Sequence, residues 1–90
     1  MSHLEERTSP TTTLVPVRPF GPLSERMPVD ATIELQLPLP AAAIRERLIA
    51  AYPKLGEQRF RIAVDARLPA EESVITEAEE IALLPPFAGG

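Results

Sequence analysis

Ala31-Thr32-Ile33-Glu34-Leu35-Gln36-Leu37, followed closely by Pro40-Ala41-Ala42-Ala43-Ile44-Arg45-Glu46-Arg47-Leu48-Ile49-Ala50-Ala51-Tyr52-Pro53, is the stretch that decides the fold. In its first half Ile33, Leu35 and Leu37 alternate with Thr32, Glu34 and Gln36. That period of two predicts a strand with one buried and one wet face. In its second half Ile44, Leu48 and Tyr52 recur every fourth residue, which predicts a helix with one apolar stripe. Alanine, arginine and leucine favour a helix, Pro40 suits its first turn, and Pro53 stops it. A strand that runs almost directly into a helix must lay that helix over its own sheet.

Upstream, Thr11 to Val17 is rich in threonine and valine and predicts another strand. Pro16 and Pro19 oppose it, because proline cannot donate to a ladder. The expectation is a short or bulged strand, with Phe20-Gly21-Pro22-Leu23 turning into an irregular connection. Downstream, Arg59 to Asp65 alternates, with Phe60, Ile62 and Val64 facing a core. Leu68 to Glu72 reads as a loop and Ser73-Val74-Ile75 as a short apolar piece. Thr76 to Glu80 is an acidic turn, and Ile81 to Leu84 is the last strand. The order strand, strand, helix, strand, short piece, strand predicts an α+β, β-grasp (ubiquitin-like) domain. It has a mixed sheet, one main helix packed on one face, and an extended C-terminal tail. Residues 1–11 read as a flexible tail, 12–84 as the domain and 85–90 as the tail that it presents.

Composition narrows the function. Ninety residues allow one small domain, and 44% hydrophobic with 24% charged residues suits a folded one. There is no cysteine, so disulfides, thiolate metal sites and a thiol nucleophile are excluded. The single histidine, His3, lies in the polar N-terminal segment without partners, which predicts a solvated residue and no metal site. A net charge of −4 disfavours nucleic acid and favours a basic partner surface. No apolar run predicts a membrane span and no signal peptide is evident, so the expected location is cytoplasmic. Phosphate-loop and dinucleotide fingerprints are absent. Arg45, Arg47, Arg59, Arg61 and Arg67 read as solvated faces of sheet and helix, with contact to a partner as the alternative. Glu71, Glu72, Glu77, Glu79 and Glu80 read as a solvated acidic cluster, with steering toward a basic enzyme as the alternative.

The last stretch carries the functional signal. Glu79-Glu80-Ile81-Ala82-Leu83-Leu84-Pro85-Pro86-Phe87-Ala88-Gly89-Gly90 resembles the C-terminus of the small subunit of molybdopterin synthase, a MoaD-like sulfur carrier. Phe20 to Arg26, Ala42 to Pro53 and Ile62 to Asp65 resemble further segments of that family. The sequence departs from the family at Pro16 and Pro19, at Ala78-Glu79 and at Phe87.

The resemblance implies that the Gly90 carboxylate is adenylated with ATP by an adenylyltransferase of the ubiquitin-activating type. A sulfur donor then converts it to a thiocarboxylate. It further implies a hetero-oligomer with the molybdopterin synthase large subunit, which supplies the catalytic groups, while this chain binds no cofactor of its own. Pro85, Pro86, Phe87, Ala88 and Gly89 are the expected partner-binding residues. The prolines limit the entropy lost on ordering, and the glycines permit close backbone approach. Sulfur carriers of thiamine, cysteine, siderophore or tungsten-cofactor pathways, a ubiquitin-like protein modifier, and an inert β-grasp interaction module are the alternatives.

Overall fold

The computed structural model describes residues 11–86. Six strands and one α-helix follow in order: β1 (Thr11–Pro19), β2 (Thr32–Leu37), β3 (Leu39–Pro40), α1 (Ala41–Ala51), β4 (Arg61–Val64), β5 (Val74–Ile75) and β6 (Ile81–Leu84). Turns of 3₁₀ helix at Gly21–Arg26 and Pro53–Glu57 lie between them. The main sheet has the order β2-β1-β6-β4, and β3 pairs with β5 in a small second sheet. β1 runs antiparallel to β2 and parallel to β6, which puts the first and last strands side by side in mid-sheet. With α1 across one face, this is the β-grasp arrangement expected from the element order.

The core follows the two sequence periods. On β2, Ile33, Leu35 and Leu37 are buried and Thr32, Glu34 and Gln36 exposed. Val15, Val17, Ile81, Leu83, Ile62 and Val64 add the same face of the other strands, and Ile44 and Leu48 of α1 close over them. Tyr52 is only half-buried. Its hydroxyl donates to the Thr32 carbonyl at 2.6 Å, so it latches the end of α1 to the outer edge of β2.

β1 is neither short nor bulged: it runs nine residues through both prolines. The reason is which way each proline nitrogen points. Alternate residues of a strand direct their amides to opposite neighbours. Val17 donates to Ala31 on the β2 side, and Phe20 donates to Leu83 on the β6 side, both at 2.9 Å. Pro16 therefore points its nitrogen toward β6, whose pairing begins only at Val17. Pro19 points toward β2, whose pairing has already ended. Each proline sits where no ladder bond is lost, although the strand is central.

α1 begins one residue later than Pro40 would suggest, with Pro40 in an extended conformation as its cap. A proline cap offers no side-chain acceptor for the unpaired amides of the first turn. The loop before β5 supplies them instead: Ala41 donates to the Ser73 carbonyl and Ala42 to that of Glu71, each at 2.9 Å. No helix among the described residues is long and apolar enough to cross a membrane.

Candidate functional site

The site is built outward from β6. Ile81 and Leu83 are fully buried, so the strand is anchored in the core up to its penultimate residue. It is held on both sides, by β1 from Val17 to Pro19 and by β4 from Arg61 to Val64. The Phe20 amide extends the β1 side by one further bond to the Leu83 carbonyl. The chain therefore leaves the sheet from a strand that is paired on both sides.

The start of β6 is fixed by a carboxylate. Asp65 Oδ1 accepts the amides of both Glu79 and Glu80, at 2.8 and 2.9 Å. Asp65 in turn donates its own amide to the Glu80 carbonyl at 3.0 Å. Asp65 and Ala66 both have positive φ, 50° and 68°, and make the two-residue turn that follows β4. This bridge orders the acidic turn where Ala78-Glu79 departs from the resembled family. Ala78 itself is buried against the core and has no positive φ.

Beyond Leu84, Pro85 is half-buried and Pro86 exposed. Pro85 abuts Gly21, whose φ of +61° admits glycine readily and other residues poorly. Pro86 lines a cleft of about 380 Å³ with Arg45, Ile49, Gly56, Gln58, Arg59 and Phe60. The other expected site residues, Phe87, Ala88, Gly89 and Gly90, lie outside the described residues.

One supporting group escaped the sequence reading. Arg45, expected to be solvated, spans three elements. Its guanidinium donates to the Phe60 carbonyl at 2.7 Å and pairs with Glu71 at 3.0 Å. It also lies 4.9 Å from the centroid of the Phe60 ring. It thereby ties α1 to the segment that runs beside the tail base. Its sequence signal, an arginine one residue after a core isoleucine on a helix, is too common to read.

A family model described as the ThiS family matches residues 17–90. The chain belongs to the ThiS family. The matched span opens at Val17, where β1 begins to pair with β6, and it includes the Gly89-Gly90 end. The structure is similar to that of SAMP1 from Haloferax volcanii, with a TM-score of 0.65 at 18% identity over 87% of this chain and 100% of that one. It is also similar to a putative molybdopterin converting factor, subunit 1, from Pyrococcus furiosus, with a TM-score of 0.66 at 20% identity over 82% and 98%. A structure of H. volcanii small archaeal modifier protein 1 gives 0.64 at 16% identity over 82% and 98%. At such identities the likeness is one of fold alone. No curated protein matches. In this ThiS family chain, Pro85 and Pro86 directly follow a central strand that is paired on both sides.

Proposed function

We propose that the chain is a sulfur carrier whose working group is the Gly90 carboxylate. The observation that carries this reading is the continuity of β6, a buried central strand, with Pro85-Pro86 and the Gly-Gly end inside one family match. A rigid base and a side-chain-free end suit insertion into a narrow site on another protein.

The chemistry follows from the carboxylate. A carboxylate is a poor electrophile until its oxygen becomes part of a leaving group. Attack of that oxygen on the α-phosphorus of ATP gives an acyl-adenylate and releases pyrophosphate. A sulfur nucleophile then attacks the acyl carbon and AMP departs, which leaves sulfur on Gly90. The activating enzyme supplies ATP and the acid-base groups. This chain supplies the positioned end, and Phe87, Ala88 and Gly89 make the contacts along the receiving channel.

We assign the recipient to molybdopterin formation, with this chain as the small subunit beside a large catalytic subunit. The Pro85-Pro86 pair before the small-Gly-Gly end supports this branch, as does the likeness to the molybdopterin converting factor subunit. The test is intact mass after co-expression with an activating enzyme and a sulfur donor. One oxygen replaced by sulfur, lost in a chain lacking Gly90, is the expected result. A plain carboxylate with every activating enzyme tried overturns the reading.

The likeness to small archaeal modifier protein 1 favours a second reading, conjugation of Gly90 to target lysines. Lys54 is the only lysine in this chain. Chains of the modifier linked through a lysine side chain would therefore run through Lys54 alone. Lysine adducts that need Gly90 and ATP are the result that would favour conjugation.

A further inference from the structure

The net charge of −4 favours a basic partner, but the charge is unevenly placed. Glu79 and Glu80 immediately precede Ile81, at the end of β6 away from the tail. Glu77 lies at that end too, in a groove with Val64, Asp65 and one cation, Arg67, so that end stays acidic in balance. At the opposite end Arg61 is the cross-strand partner of Leu84, and Arg59 shares a cleft with Pro86. Arg18, Arg26 and Arg45 each hold a glutamate of this chain. Arg59 and Arg61, like Arg47 and Arg67, hold none among the described residues, although Arg61 shares a groove with Glu71; Arg59 and Arg61 are the two that adjoin the tail base. On the other flank of β6, Phe20 bonds to Leu83 through its amide while the residue stays 45% exposed.

We propose that Arg59, Arg61 and Phe20 form a docking collar around the tail exit. The partner that receives the tail presents an acidic rim to the two arginines and an apolar contact to Phe20. The inference rests on the carrier reading for the tail's destination, and its charge logic is independent of it. A guanidinium presents a planar fork that matches a carboxylate, and it keeps its charge at any working pH. An acidic rim is repelled by the Glu77–Glu80 end and attracted by the collar. The same two patches thus orient the approach with the tail foremost. The partner's sign at the contact is therefore opposite to the one that the net charge suggests.

The test is a titration of the full ¹⁵N-labelled chain with hexaglutamate at low salt. The expected shifts are at Arg59, Arg61 and Leu84, and they diminish as salt is raised because exposed charges are screened. R59Q/R61Q should bind about twofold to thirtyfold more weakly, the range for losing two exposed charge pairs, whereas R59K/R61K should keep most of the binding. Shifts confined to Arg47 or Arg67, or unchanged in R59Q/R61Q, overturn the proposal. So does tripolyphosphate binding at the collar more tightly than hexaglutamate, which would make it a nucleotide-phosphate site. Shifts at the collar that depend on protein concentration without peptide would assign it to a second copy and also overturn it. The titration needs no activation of Gly90. A chain that binds hexaglutamate there but never gains sulfur loses the carrier reading and keeps the collar.

Discussion

Gly21 and Pro85 pack closely against each other: a methyl group on Gly21 would stand 3.2 Å from Cγ of Pro85, close enough that the ring must yield by a few tenths of an ångström. The turn after β1 thus buttresses the first residue after β6. The φ of +61° at Gly21 adds a second restriction. Gly21→Ala should cost about 1–2 kcal/mol of stability from the left-handed backbone alone. It should also displace Pro85. Urea unfolding measures the first effect. Pro85→Ala in the same chain measures the second, since it relieves the steric part and leaves the backbone part.

The turn after β4 makes the opposite prediction. Asp65 and Ala66 occupy two consecutive positive-φ positions, closed by the Val64 amide to the Arg67 carbonyl at 2.8 Å and the reverse bond at 3.0 Å. Such turns favour Asp or Asn first and Gly second. Asp65 fits and Ala66 does not. Ala66→Gly should stabilise the protein by about 0.5–1 kcal/mol, net of the entropy that glycine adds to the unfolded chain. The denaturation midpoint should rise with no change in slope.

The Asp65 carboxylate links that turn to the start of β6. Asp65→Ala removes the acceptor for two amides and should cost about 1–3 kcal/mol. Asp65→Asn keeps an oxygen that can accept and tolerates positive φ, so it should recover most of the loss. Hydrogen exchange at the Glu79 and Glu80 amides should accelerate in Asp65→Ala and little in Asp65→Asn. Equal acceleration in both would mean that the charge, not the acceptor geometry, holds the turn.

These contacts mark the boundary of what the sequence made legible. Ile33, Leu35 and Leu37 announce a strand, and Ile44 and Leu48 announce a helix, because a local period encodes each. Phe60, Ile62 and Val64 point to the core for the same reason, although the strand itself covers only Arg61–Val64. Pro16 and Pro19 misled because a proline's cost depends on whether a neighbour strand stands on its nitrogen side, which is set by tertiary register. Asp65 with Glu79 and Glu80, Arg45 with Phe60 and Glu71, and Gly21 with Pro85 join residues far apart in the chain, and no local pattern signals them. Pro85 and Pro86 were legible as the tail base from their order after the last strand. The flanks that grip it, Phe20-Gly21 and Arg59–Arg61, were not.

Arg45 should prove structural. Arg45→Lys keeps the charge but cannot bond the Phe60 carbonyl and Glu71 together through one planar fork. Its pair with Glu71 is exposed on the glutamate side, so the ionic part is worth little. The bond to the Phe60 carbonyl and the ring contact carry most of a loss of about 1–2 kcal/mol. Glu71→Gln should therefore cost much less than Arg45→Lys in thermal unfolding. Equal losses would assign the role to the ion pair.

The last prediction separates the fold from the carrier. Leu48 is fully buried under the sheet, and Leu48→Ala should cost about 2–5 kcal/mol by emptying core volume. The described core ends at Leu83, and the last backbone bond to β6 outside the ladders is the one from Phe20 to Leu83. Gly90→Ala should then leave the unfolding midpoint unchanged. A methyl group at the acyl carbon's neighbour nonetheless narrows access in any tight channel, so sulfur loading of Gly90→Ala should fall sharply. Leu48→Ala, assayed well below its own midpoint, should load normally because it leaves the end of the chain untouched. Intact mass reads loading and calorimetry reads stability in the same two variants. A large stability loss in Gly90→Ala would tie the end of the chain to the core and contradict a presented tail. Normal loading in that variant would remove the close-approach requirement on which the Gly-Gly end was assigned its role.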